Sequence, residues 1–243
     1  MKGQSNTYTF IYSTVIVLIV ATSLAVIATA LKPAQEKNIE IEKKQNILAS
    51  VRIGSEKSSA EELYGQYIVD SYTLGASGDR KEGIDPFLVN LREELKKPRD
   101  ERDLPVFVCS KNDSTFLVIP VYGKGLWGPI WGYVSFFQED SAATNMPYYN
   151  TIYGVNFDHQ AETPGLGAEI SQSFFQLPFR DKTIFDGSGN FVSIQVVKGG
   201  ADPASLHQVD AISGGTITSK ALQSMLDTCL VSYQKYFKMK NQN

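Results

Sequence analysis

Between positions 3 and 31 the chain carries no Asp, Glu, Lys or Arg, and positions 10–31 are an almost unbroken run of Val, Ile, Leu, Ala and Thr. Wound as an α-helix, such a run is about 33 Å long, enough to cross the hydrocarbon core of a bilayer. The reading is a short tail over 1–9 and one transmembrane helix over 10–31, with membrane lipid as its partner. A cleaved secretory leader is the alternative, because Ala28-Thr29-Ala30 has the small-x-small form of a cleavage site. The length of the run and the single basic residue before it, Lys2, favour the anchor. Counted alone, Lys32, Lys37, Lys43 and Lys44 behind the helix would keep the bulk of the chain in the cytoplasm, but Glu36, Glu40 and Glu42 are interleaved among them.

The remaining charge is balanced. Lys and Arg number 23 against 26 Asp and Glu, a net −3 without any basic block, which excludes nucleic acid as a partner because phosphate binding needs clustered cations. Cys109 and Cys229 form no C-x-x-C and have no paired histidines, so no metal site is read. A disulfide and two buried free thiols both remain open.

Behind the anchor, 32–66 reads as a helical neck: Ile39, Ile47, Leu48, Val51, Leu63 and Ile68 recur at amphipathic spacing, interrupted near Gly54. A short helix is expected over 84–97 and an exposed charged loop over 96–103. Strand patterns follow at 106–108, 116–122, 131–137, 151–157 and 191–197. Leu222, Met225, Leu226, Cys229, Leu230, Tyr233 and Phe237 then repeat at three-and-four spacing, predicting a terminal helix from Thr218 or Ser219. The fold class is α+β: one N-terminal transmembrane helix, then a mostly antiparallel sheet flanked by helices in a single domain over 67–243.

Three glycine-rich segments could carry chemistry. Asp210-Ala211-Ile212-Ser213-Gly214-Gly215-Thr216 precedes the terminal helix, where backbone amides and the helix dipole favour a phosphate and glycines let a bulky group approach. Read by itself, it is equally a Ser/Thr-capped helix start. A hydrolase elbow around Ser213 is disfavoured, since that fold places its histidine after the serine and His159 and His207 both precede it. Gly125-Leu126-Trp127-Gly128 sets an indole among glycines, and Glu162-Thr163-Pro164-Gly165-Leu166-Gly167 is a Pro-Gly turn flanked by a carboxylate and an apolar residue.

Together, in this order behind one membrane helix, these segments resemble the C subunit of the sodium-translocating NADH:quinone reductase over nearly the whole chain. The resemblance implies an FMN-binding domain whose FMN is joined through its phosphate to the hydroxyl of Thr216 by a separate Mg-dependent flavin transferase using FAD. Asp210 and Ser213 would fall on the positions that the transferase reads, with Gly214 and Gly215 in the cofactor site beside them. The family often has Ala where this chain has Gly215, a departure that should not hinder attachment. By the same matching Trp127, Glu162, Thr163 and Leu166 would line the flavin ring, Leu126 and Gly167 would also belong to the cofactor site, and Lys198 would sit near the ring or the ribityl oxygens.

The implied role is an electron relay from NADH toward ubiquinone, within a six-subunit reductase of the bacterial inner membrane that exports sodium. The isolated chain would not be catalytic, and its domain would lie in the periplasm, against the basic-residue count. Two alternatives stand beside this: the homologous G subunit of an Rnf-type ferredoxin:NAD oxidoreductase, and a membrane-anchored binding domain without cofactor, in which 213–219 is only a helix cap.

Overall fold

The computed structural model describes residues 6–138 and 148–239. The chain divides into two units, Met1–Lys43 and Lys44–Asn243. The first unit is helix throughout its described part. Helix α1 (Asn6–Ser50) runs without a break through both the apolar run and the first part of the neck, Pro33 included. Its most apolar 18-residue window has a mean hydropathy of 2.6, and none of that window is buried within the protein.

The second unit begins with the last turns of α1 and α2 (Ala60–Tyr67). A sheet follows, made of β1 (Ile68–Leu74), β2 (Arg80–Lys81), β3 (Leu104–Lys111), β4 (Ser114–Lys124), β5 (Pro129–Phe137) and β6 (Ile152–His159), with the short helix α3 (Leu91–Glu94) between β2 and β3. The strand order is β2-β1-β3-β4-β5-β6 and every pair is antiparallel. After the helix α4 (Ser173–Gln176), β7 (Gln195–Val197) and β8 (Gln208–Asp210) form a separate parallel pair. The chain closes with α5 (Thr216–Leu230) and α6 (Gln234–Lys238).

The central strands are apolar on both faces, because both are covered. Leu117, Ile119 and Val121 of β4, with Val134 and Phe136 of β5, pack with Leu222, Met225, Leu226 and Phe237 of the C-terminal helices. The alternate residues Phe116 and Val118, with Phe107, Cys109, Tyr133 and Tyr153, pack with Ile47, Leu48, Val51 and Ile53 on the other face. The period of two in a strand sends each set to its own side. The last turn of α1 is therefore core, and its end is fixed in detail. Arg52 takes a left-handed backbone conformation (φ 58°), and the Ile53 amide returns to the Leu48 carbonyl at 2.9 Å. Lys111 Nζ donates to the carbonyls of Val51 and Arg52 at 3.1 and 3.2 Å. Ser135 Oγ donates to the Ser50 carbonyl at 2.7 Å, and Gly154 leaves the space that this carbonyl fills.

Several expectations need correction. The helix expected over 84–97 shrinks to Leu91–Glu94: Asp85 stands before Pro86 and its carboxylate accepts the Phe87 amide at 2.9 Å, making a turn where a helix would have started. The strand expected over 191–197 survives only as Gln195–Val197. Ser193 has φ 57°, and the amides of Val192 and Ser193 both turn back to the Ile184 carbonyl. Ile68, assigned to the helical stripe, opens β1 instead. The terminal helix starts at Thr216, two residues earlier than its apolar pattern suggested. The question of the cysteines is resolved: both are free and buried, Cys109 in the cluster that holds the end of α1 and Cys229 in the cluster on the opposite face.

Two outcomes follow for the full chain in detergent. Leu48→Ala is expected to cost about 3 kcal/mol in urea unfolding, the usual loss for a fully buried leucine, whereas Leu88→Ala, at a side chain 77% exposed, should cost less than about 0.5 kcal/mol. Burial raises the Cys109 thiol to about 11 and the Cys229 thiol to about 12. Iodoacetamide at pH 8 should therefore add nothing to the folded chain by intact mass, and two carbamidomethyl groups after denaturation without reductant.

Candidate functional site

The sheet's own connectivity gathers the candidate residues. Antiparallel pairing sets the 125–128 turn between β4 and β5 beside the exit of β6, with Ile130 opposite His159 and the Gln160 amide bonded to the Pro129 carbonyl at 3.1 Å. The 162–167 turn therefore emerges next to the 125–128 turn, which is closed by the Gly125 amide on the Gly128 carbonyl at 2.8 Å.

Glu162 joins these two turns to the start of α5. Its side chain is buried, 4% exposed, and its Oε1 accepts the Trp127 amide at 2.9 Å. Its Oε2 accepts the Thr218 hydroxyl at 2.5 Å. Gly125 and Gly167 make the room: a Cβ at either position would fall closer to a carboxylate oxygen than 3.0 Å, a distance that real Cβ atoms do not tolerate. Burial pushes the Glu162 carboxyl up, but hydrogen bonds from the Thr218 hydroxyl and from the amides of Trp127, Leu126 and Gly128 outweigh it. The net effect holds the group below the ordinary carboxylate value, so it is an anion at neutral pH. The Glu162 amide in turn donates to His159 Nδ1 at 3.2 Å.

The Asp210–Thr216 segment closes the arrangement from the other side. Gly215 is the N-cap of α5 and no side chain caps the helix there. Thr216, half-buried, is the first helical residue, in the turn whose leading amides have no carbonyl partner within the helix. The approach to the helix is fixed from within: Ser219 Oγ accepts the Ile212 amide at 3.1 Å, and Gly214 turns the chain at φ 75°. Leu166 lies directly on Gly214 and Gly215. Asp210 Oδ1 accepts the Ala201 amide at 2.6 Å, closing the loop that begins at Lys198. Register places Val197 opposite Asp210, so Lys198 leaves β7 at the same end of the pair as the motif leaves β8.

The structure thus brings Leu126, Trp127, Glu162, Thr163, Leu166, Gly167, Asp210, Ser213, Gly214, Gly215 and Thr216 onto three touching segments, with Lys198 on an adjoining loop. Trp127 is 67% exposed, and Leu126, Leu166 and Ile217 are also exposed. A cleft of about 480 Å³ opens between the Phe174–Pro178 region and residues 210–213. Sequence reasoning missed Thr218 and Ser219 as organisers of the helix start. Glu162, expected beside a flavin ring, accepts from protein donors at both carboxylate oxygens. The one available signal was a pair of glycines, Gly125 and Gly167, whose purpose as space for a carboxylate shows only in three dimensions. The histidines are engaged away from Ser213, His159 with Glu162 and His207 Nδ1 with the Thr183 carbonyl at 2.6 Å.

Comparison with known proteins agrees with this architecture. Residues 125–231 match the FMN-binding domain family. The chain is 31% identical over 216 residues to the C subunit of the Na(+)-translocating NADH-quinone reductase of Vibrio vulnificus (strain YJ016), covering 82% of this chain and 81% of that one. It is 29% identical over 246 residues to the corresponding protein of Pseudomonas aeruginosa, covering 92% and 90%. The crystal structure of the C subunit from Parabacteroides distasonis superposes with a TM-score of 0.76 at 38% identity, over 87% of this chain and 98% of that one. With the α+β architecture, the long apolar N-terminal helix and these relatives in agreement, the chain belongs to the family of C subunits of the Na(+)-translocating NADH-quinone reductase.

Proposed function

We infer that this chain is a membrane-anchored electron relay whose FMN is held by a phosphoester to Thr216. The observation that carries the reading is the start of α5: a 15-residue helix opening on a glycine N-cap, without a side-chain cap, whose first residue offers a hydroxyl. Free leading amides and the helix dipole stabilise a phosphodiester anion placed there. Gly214 and Gly215 let the segment pack closely against Leu166 and Ile212 as it enters the helix. Attachment makes the bond from Thr216 Oγ to the phosphorus of the FMN half of FAD. The phosphoanhydride bond breaks, AMP leaves with its electron pair, and the threonine proton goes to a base on the transferase. Asp210 and Ser213 are the residues this transferase reads; both are exposed, on the strand end and turn leading to Thr216.

Bound FMN supplies one- and two-electron exchange, and the protein supplies position and electrostatics. Trp127, Leu126 and Leu166 present exposed apolar surface that covers part of a ring. Thr163 begins the turn that carries Leu166, its carbonyl accepting the amides of Leu166 and Ala168, both at 3.1 Å. Glu162 and Gly167 act beneath this surface, and Lys198 supplies a cation near the ring or ribityl oxygens. The apolar part of α1 crosses the inner membrane once, with the domain on the periplasmic side. The neighbouring subunits of the six-subunit reductase donate and accept the electrons, and the whole complex couples their passage to sodium export. A tethered carrier suits such a relay because it cannot dissociate between transfers.

The test is the intact mass of the chain after co-expression with a flavin transferase and denaturation. The parent should gain the mass of FMN less one water and Thr216→Ala should gain nothing. A parent without adduct, while the transferase labels a known substrate in parallel, overturns the reading.

A further inference from the structure

Taking the covalent-flavin reading of Thr216 as its basis, we propose that Glu162 and Thr218 form a positioning clasp that aims the attachment threonine outward and holds the open helix start in place for the incoming phosphate. Successive helical residues are turned by about 100°, so Thr216 and Thr218 point about 200° apart, and fixing one inward directs the other to the surface. Thr218 is the inward one: it is buried, and its hydroxyl is bonded to Glu162 Oε2.

A helix start without a cap is expected to fray, since its leading amides hold nothing and its first turn has only nucleation behind it. Here the usual remedy, a Ser, Thr, Asp or Asn at the N-cap, would put a side-chain oxygen on the amides that an attached phosphate needs. The clasp restrains the same turn from the side through Thr218 and leaves the amides free. Its other arm, Glu162 Oε1 to the Trp127 amide, ties the exposed Trp127 turn to the same carboxylate. Gly125 and Gly167 cannot gain a side chain without displacing it. One buried carboxylate thereby sets the spacing between the attachment residue and the two turns proposed to receive the ring.

The variants separate geometry from charge and from mere stability. Thr218→Val keeps the shape and removes the donor, whereas Thr218→Ser keeps the donor. Glu162→Gln keeps a carbonyl for the Trp127 amide and can donate its amide to the Thr218 oxygen; Glu162→Ala keeps neither. The rate of flavin attachment is measured on full-length, flavin-free chains in detergent with purified transferase and FAD, each variant well below its own melting temperature. Thr218→Val and Glu162→Ala should slow about 10- to 100-fold, the scale of a misplaced reacting group, while Thr218→Ser and Glu162→Gln stay close to the parent.

Amide exchange of the flavin-free parent gives a second measurement that needs no variant to fold. The amides of Ser219 and Lys220 should be protected as strongly as the middle of α5, and in Thr218→Val they should exchange faster. Attachment to Thr218→Val at the parent rate, or frayed exchange at Ser219 in the parent, overturns the clasp. If the parent itself takes no flavin while the transferase labels a control substrate, the covalent reading fails instead, and the exchange data still decide whether the clasp exists.

Discussion

The whole domain depends on a sheet that is apolar on both faces and so must be covered twice. Phe107, Phe116 and Val118 look one way, and Val106, Leu117 and Ile119 the other. At roughly 1.5 to 3 kcal/mol per fully buried large apolar side chain, neither face could be left in water. The C-terminal helices cover one. The end of α1 covers the other, so the segment that leads out of the membrane-length helix is also a structural member of the domain. Arg52, Lys111 and Ser135 satisfy the last carbonyls of that helix, which lets its end lie against the sheet without unpaired acceptors.

The same sheet determines where chemistry can be built. A meander returns alternate connections to the same end, so the β4–β5 turn and the exit of β6 lie side by side by topology alone. Packing α5 across β4 brings its first turn to that end. Three loops meeting in space are not yet a site, because each could move independently. A carboxylate with two acceptor oxygens can fix all three at once, provided its desolvation is offset, and the donors at Trp127 and Thr218 provide that offset. The arrangement therefore depends on one buried side chain with two inward-turned polar atoms, and it leaves the leading amides of α5 without a side-chain cap.

Legibility in the sequence followed the physics of each signal. Long patterns survived: the uncharged run over 10–31, the strand pairs around 116–122 and 131–137, and the apolar stripe from Leu222 to Phe237 all appear as expected elements. Short-range chemistry overruled pattern elsewhere, as when the Asp85 carboxylate captured an amide and Ser193 adopted a left-handed conformation. Of the parallel β7–β8 pair only β7 was legible, within the strand expected over 191–197; the three-residue β8 shows no period. The three glycine-rich motifs could be found as letters, but their convergence could not: Glu162 and Thr218 are 56 positions apart, and nothing local links them.

The motif itself is less modular than its letters suggest. Gly215 is not a free choice in this chain. A Cβ there would stand 2.9 Å from Ile212 Cγ2 and 3.3 Å from the Leu166 carbonyl carbon, so Gly215 and the bulky, buried Ile212 are compatible only together. Ile212 is also the residue whose amide is held by Ser219, and Leu166 belongs to the turn that Glu162 anchors. Methylating position 215 would press on the helix start and on the Leu166 turn simultaneously. An added methyl at 215 would therefore require Ile212 to give way, and position 215 is coupled by packing to residues outside its own segment.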